Sequence, residues 1–177
     1  MVRSALLMTG LSSTKRTHLG TAHPQVIRAS RESIIENWLQ AVKQDSEIGS
    51  IPIPDSERKE HMLLILEAAT GVVEGKELTA EGRKAYLRQG AIRYRENRTV
   101  SLLIREGKLL QASLADCILR QFAAIEMNYL VSDTIRLMAT IDGLLQACAR
   151  GFIRQANAER VASRRRGERN IPESKAG

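Results

Sequence analysis

The fold of this chain is decided by residues 83–114, which have the sequence RKAYLRQGAIRYRENRTVSLLIREGKLLQASL. This stretch predicts two amphipathic helices joined by a short polar elbow at residues 95–99. In the second helix, apolar and small side chains recur in steps of three and four residues, at Leu103, Gly107, Leu110, Leu114 and Cys117 or Ile118. Such a stripe must be buried against other helices. We therefore expect an all-α fold.

The same periodicity predicts a bundle of about five helices with a long C-terminal helix. We expect helices at Pro24–Asp45, Asp55–Val73, Thr79–Glu96 and Thr99–Phe122, a loop at 46–54, a break at 127–131, and a final helix capped by Ser132 or Asp133. The predicted core residues are Trp38, Leu66, Leu103, Leu110, Ile141 and Leu145. In the final helix a heptad-like seam contains Met138, Ile141, Leu145, Cys148 and Phe152. That spacing fits packing inside one bundle as well as a seam between two copies.

Composition divides the chain into three parts. Residues 1–31 contain five Lys or Arg and no Asp or Glu, and residues 150–177 contain eight against three, so the net charge of +7 belongs to the ends. Between them the chain is mildly acidic. We expect a disordered segment at 1–22, a helical bundle at 23–162, and a basic disordered tail at 163–177. A nucleic-acid interface would have to use the tails.

No stretch of 18 apolar residues and no secretory signal occurs in the sequence. The two cysteines, Cys117 and Cys148, lie in apolar helical contexts without a metal-ligand spacing. We interpret them as core residues of a protein in a reducing compartment. The expectation is a cytoplasmic protein with no membrane span.

The motifs of catalytic sites are missing from the sequence. There is no phosphate-binding loop, dinucleotide fingerprint, nucleophile elbow or HExxH, and no Glu-x-x-His pair of the kind that holds two metals in a four-helix bundle. Of the three histidines only His61 lies in a predicted helix. We expect it to be a partly exposed helix residue. The sequence therefore predicts no enzyme activity, cofactor or metal.

Two carboxylates, Glu106 and Asp142, lie at the edges of apolar stripes. A half-buried carboxylate is unfavourable unless it is paired, so the expected partners are Arg93, Arg95 or Arg136. One interpretation is a structural ion pair or a solvated helix edge. The other is a polar contact in an internal pocket or with a partner protein, formed by Arg93, Arg105, Glu106 and Asp142.

Residues 26–155 resemble a known family along several short segments. These are Ile34-Ile35-Glu36-Asn37-Trp38 on the first helix, Arg93-Tyr94-Arg95-Glu96, Val100-Ser101-Leu102-Leu103-Ile104-Arg105-Glu106, Leu109-Leu110, and Ile141-Asp142. The pattern is similar to the N-terminal input domain of RsbR-type stressosome co-antagonist proteins, which also precedes some bacterial sensor histidine kinases. Two positions depart from it, because Arg98 stands where the family often has glycine at the elbow and Gly107 replaces a common aromatic residue.

The resemblance implies a non-enzymatic input or interaction domain of a bacterial signalling system. Such a domain acts on a partner protein by helix repacking or dimer rearrangement. Family members usually carry an output domain, whereas this chain continues only about 20 residues past the bundle. We therefore expect a free-standing module that signals through a protein partner, as a monomer or homodimer. The alternatives are a nucleic-acid-associated protein that uses the Arg-rich C-terminal tail, and a small-molecule-binding bundle.

Overall fold

The computed structural model describes residues 22–96, 98–125 and 127–169, and all regular structure in these residues is helical. The predicted all-α bundle with a long C-terminal helix is confirmed. The elements are α1 (Ala22–Ala29), α2 (Arg31–Gln44), α3 (Ser46–Gly49), α4 (Asp55–Val73), α5 (Ala80–Arg95), α6 (Val100–Arg120), a 3-10 turn (Phe122–Ala124) and α7 (Met127–Arg169). The predicted disordered segment at 1–22 lies outside the described residues, apart from Ala22.

The first predicted helix is in fact two helices. Ser30 has φ −95° and ψ 4°, which departs from helical geometry and separates α1 from α2. The predicted loop also contains the short helix α3. Asp45 caps it, since its side chain accepts hydrogen bonds from the main-chain N–H groups of Glu47 and Ile48, both at 3.0 Å.

The middle helices begin and end close to the predicted residues. Thr79 caps α5 by accepting from Gly82 N at 3.0 Å, and Thr99 caps α6 by accepting from Leu102 N at 3.3 Å. Gly75 has φ +88°, a left-handed conformation that favours glycine. The N–H of Lys76 donates to Gly71 O at 2.9 Å, which completes a Schellman-type end to α4.

The last helix is longer than predicted at both ends. α7 comprises 43 residues and begins at Met127, so the expected break at 127–131 and the cap at Ser132 or Asp133 are wrong. It continues to Arg169, past the predicted boundary at 162. At 1.5 Å per residue it is about 64 Å long. Within its first two thirds, Met138, Ile141, Leu145 and Cys148 pack against the core of the same chain, so this seam lies inside one bundle.

The core is formed mainly by aliphatic side chains from α2, α4, α6 and α7. All six predicted core residues are buried, with 6% or less of their surface exposed. Neighbours α6 and α7 run antiparallel, while α5 runs parallel to α7 and packs very closely against it. A Cβ atom added to Gly90 would lie 1.8 Å from Cys148 O, and one added to Gly151 would lie 1.9 Å from Leu87 O. The two backbones are therefore in direct contact, which only glycine permits.

None of the described helices is both long and apolar enough to cross a membrane.

Candidate functional site

A charged group is buried between α4, α6 and the elbow that joins α5 to α6. Glu106 on α6 is 1% exposed, and its carboxylate accepts from Arg98 Nη1 at 3.0 and 3.2 Å. Arg58 Nη1 lies 3.5 Å from Oε1 of the same carboxylate. Removing three charges from water is costly, and the pairing with hydrogen bonds at short distance offsets that cost. The predicted interaction of Glu106 with Arg93, Arg95 or Arg136 is wrong, because these two other arginines occupy the carboxylate.

Arg58 also joins the surrounding loop to this group. Its Nη2 donates to the main-chain oxygens of Ile48 at 2.9 Å and Ile51 at 2.7 Å. On the other side, Trp38 Nε1 donates to the main-chain oxygen of Glu106 at 3.0 Å. The same few residues therefore connect α2, the segment after α3, α4 and α6.

A second carboxylate extends the ionic contacts towards α5. Glu96 lies at the end of α5, and its Oε2 is 3.1 Å from Arg98 Nε and 3.8 Å from Arg93 Nη1. Arg93 and Arg98 are each only 4% exposed. Burial lowers the pKa of the Arg98 guanidinium, and the neighbouring Glu106 and Glu96 counteract part of that effect.

His61 on α4 is the last member of this group. The prediction that it is partly exposed is wrong. His61 is only 4% exposed, because it lies on the side of α4 that faces α5 and the elbow. Among the described residues neither ring nitrogen has a hydrogen-bond partner. Burial, and then the charges of Arg93 and Arg98, lower the pKa of His61 to about 3. The imidazole is therefore neutral at physiological pH.

We call the six residues the charge cluster: Arg58, His61, Arg93, Glu96, Arg98 and Glu106. Three cations face two carboxylates and a neutral imidazole, so the cluster has a net positive charge. A small cavity of about 110 Å³ borders it, lined in part by His61, Arg93 and Glu96. The cluster draws on α4, α5, the elbow and α6, which the sequence separates by up to 48 residues.

The four predicted site residues do not form one site. Arg93 and Glu106 belong to the charge cluster. Arg105 lies on the surface, where its Nε is 2.6 Å from Asp45 and its Nη1 is 3.1 Å from Glu47. Asp142 is also exposed and accepts from Gln111 Nε2 at 2.8 Å. In the sequence, Arg98 stands out only as a departure at the elbow, and Arg58 carries no signal of its own.

A separate concave surface, which we call the basic groove, lies between α7, the first turns of α5 and the loop after α4. Its volume is about 900 Å³. Its cationic lining residues are Lys76, Arg83, Arg136, Arg150 and Arg154. Leu87, Leu144 and Ala147 form an apolar floor, and Glu77 is the acidic residue of the lining. This groove was not predicted, because its residues come from three separate segments.

The two thiol groups of the described chain lie in the hydrophobic core. Burial raises the pKa of the Cys148 thiol to about 12, so it is protonated and unreactive at neutral pH. Both cysteines are free and buried, as predicted. Within the described residues no cluster of three or more His, Cys, Asp or Glu side chains has the arrangement of a metal site. The charged side chains of the charge cluster are buried or half-buried and paired, whereas the arginines of the basic groove are exposed to solvent.

The chain matches no protein-family model, no curated protein and no solved structure.

Proposed function

We propose that this chain is a non-enzymatic input or interaction module of a bacterial signalling system, which acts on a partner protein by a change in helix packing. Its sequence resemblance to RsbR-type input domains suggests this class. Signalling of this kind requires an element with more than one packing arrangement and a surface that transmits the change to the partner.

The charge cluster has the properties of an element with more than one packing arrangement. If α6 or the elbow shifts relative to α4, Arg58 and Arg98 lose Glu106 and remain buried without a counter-charge. Breaking a buried ion pair in this way is strongly unfavourable. Intermediate positions are therefore disfavoured, and α4, α5 and α6 move between discrete arrangements instead of sliding continuously.

The observation that carries the proposal is the projection of α7 beyond the bundle. Tyr94, near the end of α5, makes an edge-to-face contact with Phe152 at a centroid distance of 5.1 Å. Beyond this contact, every residue from 157 to 166 is exposed while the helix continues. Glu159 still lies beside Tyr94, and the part of α7 beyond it, residues 160–169, measures about 15 Å. Because α5 and α7 touch backbone to backbone, a displacement of α5 moves this rigid extension.

Site-specific photo-crosslinking in the producing cells tests the proposal. A photo-reactive residue at position 161, where Val161 is 49% exposed on the projection, is expected to form an adduct with one defined protein. A matched residue at position 119, where Leu119 is 72% exposed at the other end of the bundle, is expected to form none. Introducing Glu106→Gln should change the adduct yield from position 161.

Two results contradict the proposal. One is the same set of adducts from both positions, which indicates nonspecific contact. The other is an adduct with RNA or DNA that weakens steeply with added salt, since this supports the nucleic-acid alternative through Arg160, Arg164 and Arg166.

A further inference from the structure

We infer that the basic groove is a binding site for a phosphorylated small molecule of nucleotide size, with the phosphates on the arginines and an apolar body on the floor. This site does not depend on the protein partner proposed above.

The arginines of the groove differ in pairing from most of those elsewhere in the bundle. Arg28, Arg31, Arg58, Arg88, Arg98, Arg105 and Arg120 each lie within 3.5 Å of a carboxylate oxygen. In the described part of the chain, the side chains of Arg83, Arg150 and Arg154 form no ion pair or hydrogen bond. Arg136 only donates to Val72 O, at 3.4 Å. The donors of these guanidinium groups are therefore free for an external anion.

The helices bring three of these arginines together. Leu87 of α5 contacts Gly151 of α7, and Arg83 lies one turn before Leu87. Arg150 and Arg154 lie on either side of Gly151, and side chains four residues apart are neighbours on a helix surface. All three line the same groove. Guanidinium groups bind phosphate oxygens through pairs of parallel hydrogen bonds, so this end of the groove suits a polyphosphate.

The face of α7 between the cations has small side chains. Arg136, Thr140, Gly143, Ala147, Arg150 and Arg154 follow one another at steps of three and four residues and line the groove. The arginines therefore lie at the two ends of this row of residues. The small residues between them leave space above the apolar floor of the groove. Leu144 and Ala147 are buried under this space and present carbon atoms to it.

At Gly143, no neighbouring atom requires the residue to be glycine. A Cβ added to Gly90, Gly107 or Gly151 would approach a neighbouring atom to 2.1 Å or less, which explains those glycines sterically. A Cβ added to Gly143 would meet nothing within 4 Å. Glycine inside a helix costs about 1 kcal/mol relative to alanine. Glycine at position 143 therefore lowers helix stability without relieving a steric clash, and its effect is to leave open space in the groove.

The size and character of the groove match a small ligand. Ligand sites usually have volumes of about 300–1,000 Å³ and an apolar lining with a few polar groups. A groove of about 900 Å³ with an apolar floor and cations at its ends accommodates a nucleotide. An uncharged apolar ligand would form no ion pairs with the arginines, and inorganic phosphate alone would make no contact with the apolar floor.

Calorimetric titration of the full chain tests the inference, with the four common nucleoside triphosphates, inorganic tripolyphosphate, inorganic phosphate and adenosine as probes. We expect one site that binds at least one nucleoside triphosphate ten times more tightly than inorganic phosphate or adenosine. The double variant Arg150→Gln/Arg154→Gln should weaken this binding at least tenfold. Gly143→Leu, which fills the groove and retains every charge, should weaken it to a similar extent.

The matched control is Arg160→Gln/Arg164→Gln, which removes the same charge at the same spacing from the projecting part of α7. It should change the dissociation constant by less than twofold. An equal loss in the control variant overturns the inference, since attraction to the overall charge then explains the binding. Absence of saturable binding for all phosphorylated probes also overturns it, as does binding of an acidic helical peptide in their place.

Discussion

In the charge cluster Arg58 and Arg98 are buried and reach Glu106, whereas in the basic groove Arg83, Arg150 and Arg154 are exposed and reach no carboxylate. The same side chain therefore has different roles in the two regions. A buried guanidinium must be paired, because water cannot compensate its charge. An exposed guanidinium is solvated at little cost and remains available. Unpaired cations around a concave surface are thus available to an external anion, while paired internal cations constrain helix packing.

The largest expected effect comes from breaking the charge cluster. Glu106→Gln removes the counter-charge of two buried arginines and should lower the free energy of unfolding by about 3–5 kcal/mol. Urea denaturation measures the change. The double variant Glu106→Leu/Arg98→Leu should recover part of the loss, because it also removes one buried charge. If Glu106→Gln unfolds at the wild-type midpoint, the cluster does not constrain the packing.

Glycine substitutions in α7 compare the close helix contact with the groove. Gly151→Ala places a Cβ against the backbone of α5 and should destabilise the fold by about 1–3 kcal/mol, as overpacking does. Gly143→Ala enters open space and should stabilise it by up to about 1 kcal/mol. Thermal melts of the two variants give the comparison. Equal shifts would contradict the close approach of α5 and α7.

His61 makes stability depend on pH. The unfolded chain takes up a proton as the pH falls below about 6.5, whereas the pKa of His61 in the fold is about 3. Stability should therefore fall by about 2 kcal/mol from pH 7 to pH 5 and continue to fall towards pH 3. Denaturant midpoints measured across this range should show a weaker slope in His61→Phe. An unchanged slope would indicate that the imidazole is solvated.

Exposed arginines of the groove should have the smallest effect on stability. Arg150→Gln and Arg154→Gln should each change the free energy of unfolding by less than about 0.5 kcal/mol, because no ion pair is lost. The change is measurable by urea denaturation under the conditions used for Glu106→Gln. A loss comparable to that variant would show that these side chains support the fold.

The helices and the core were predictable because they depend on local patterns. Leu103 and Leu110 are one stripe of a single helix, and Thr79 and Thr99 act on N–H groups three residues away. The split at Ser30 and the start of α7 at Met127 were not predictable, since neither glycine nor proline marks either position in the sequence.

The candidate sites were predictable only in part. Glu106 and Arg93 stood out as charges beside apolar stripes, but their partners lie on other helices. Arg58 is 48 residues from Glu106, and no spacing rule relates them. His61 was misjudged because its burial is caused by α5 and the elbow, not by its own helix.

Periodicity and composition along the chain are enough to establish that this protein is helical, which faces of its helices are buried, and where its charge accumulates. Which charges are neutralised in the interior, and which remain exposed around the groove, depends on how the helices pack. The reason is that pairing depends on distances of a few ångströms between side chains from different helices, and the order of residues along the chain does not specify such distances.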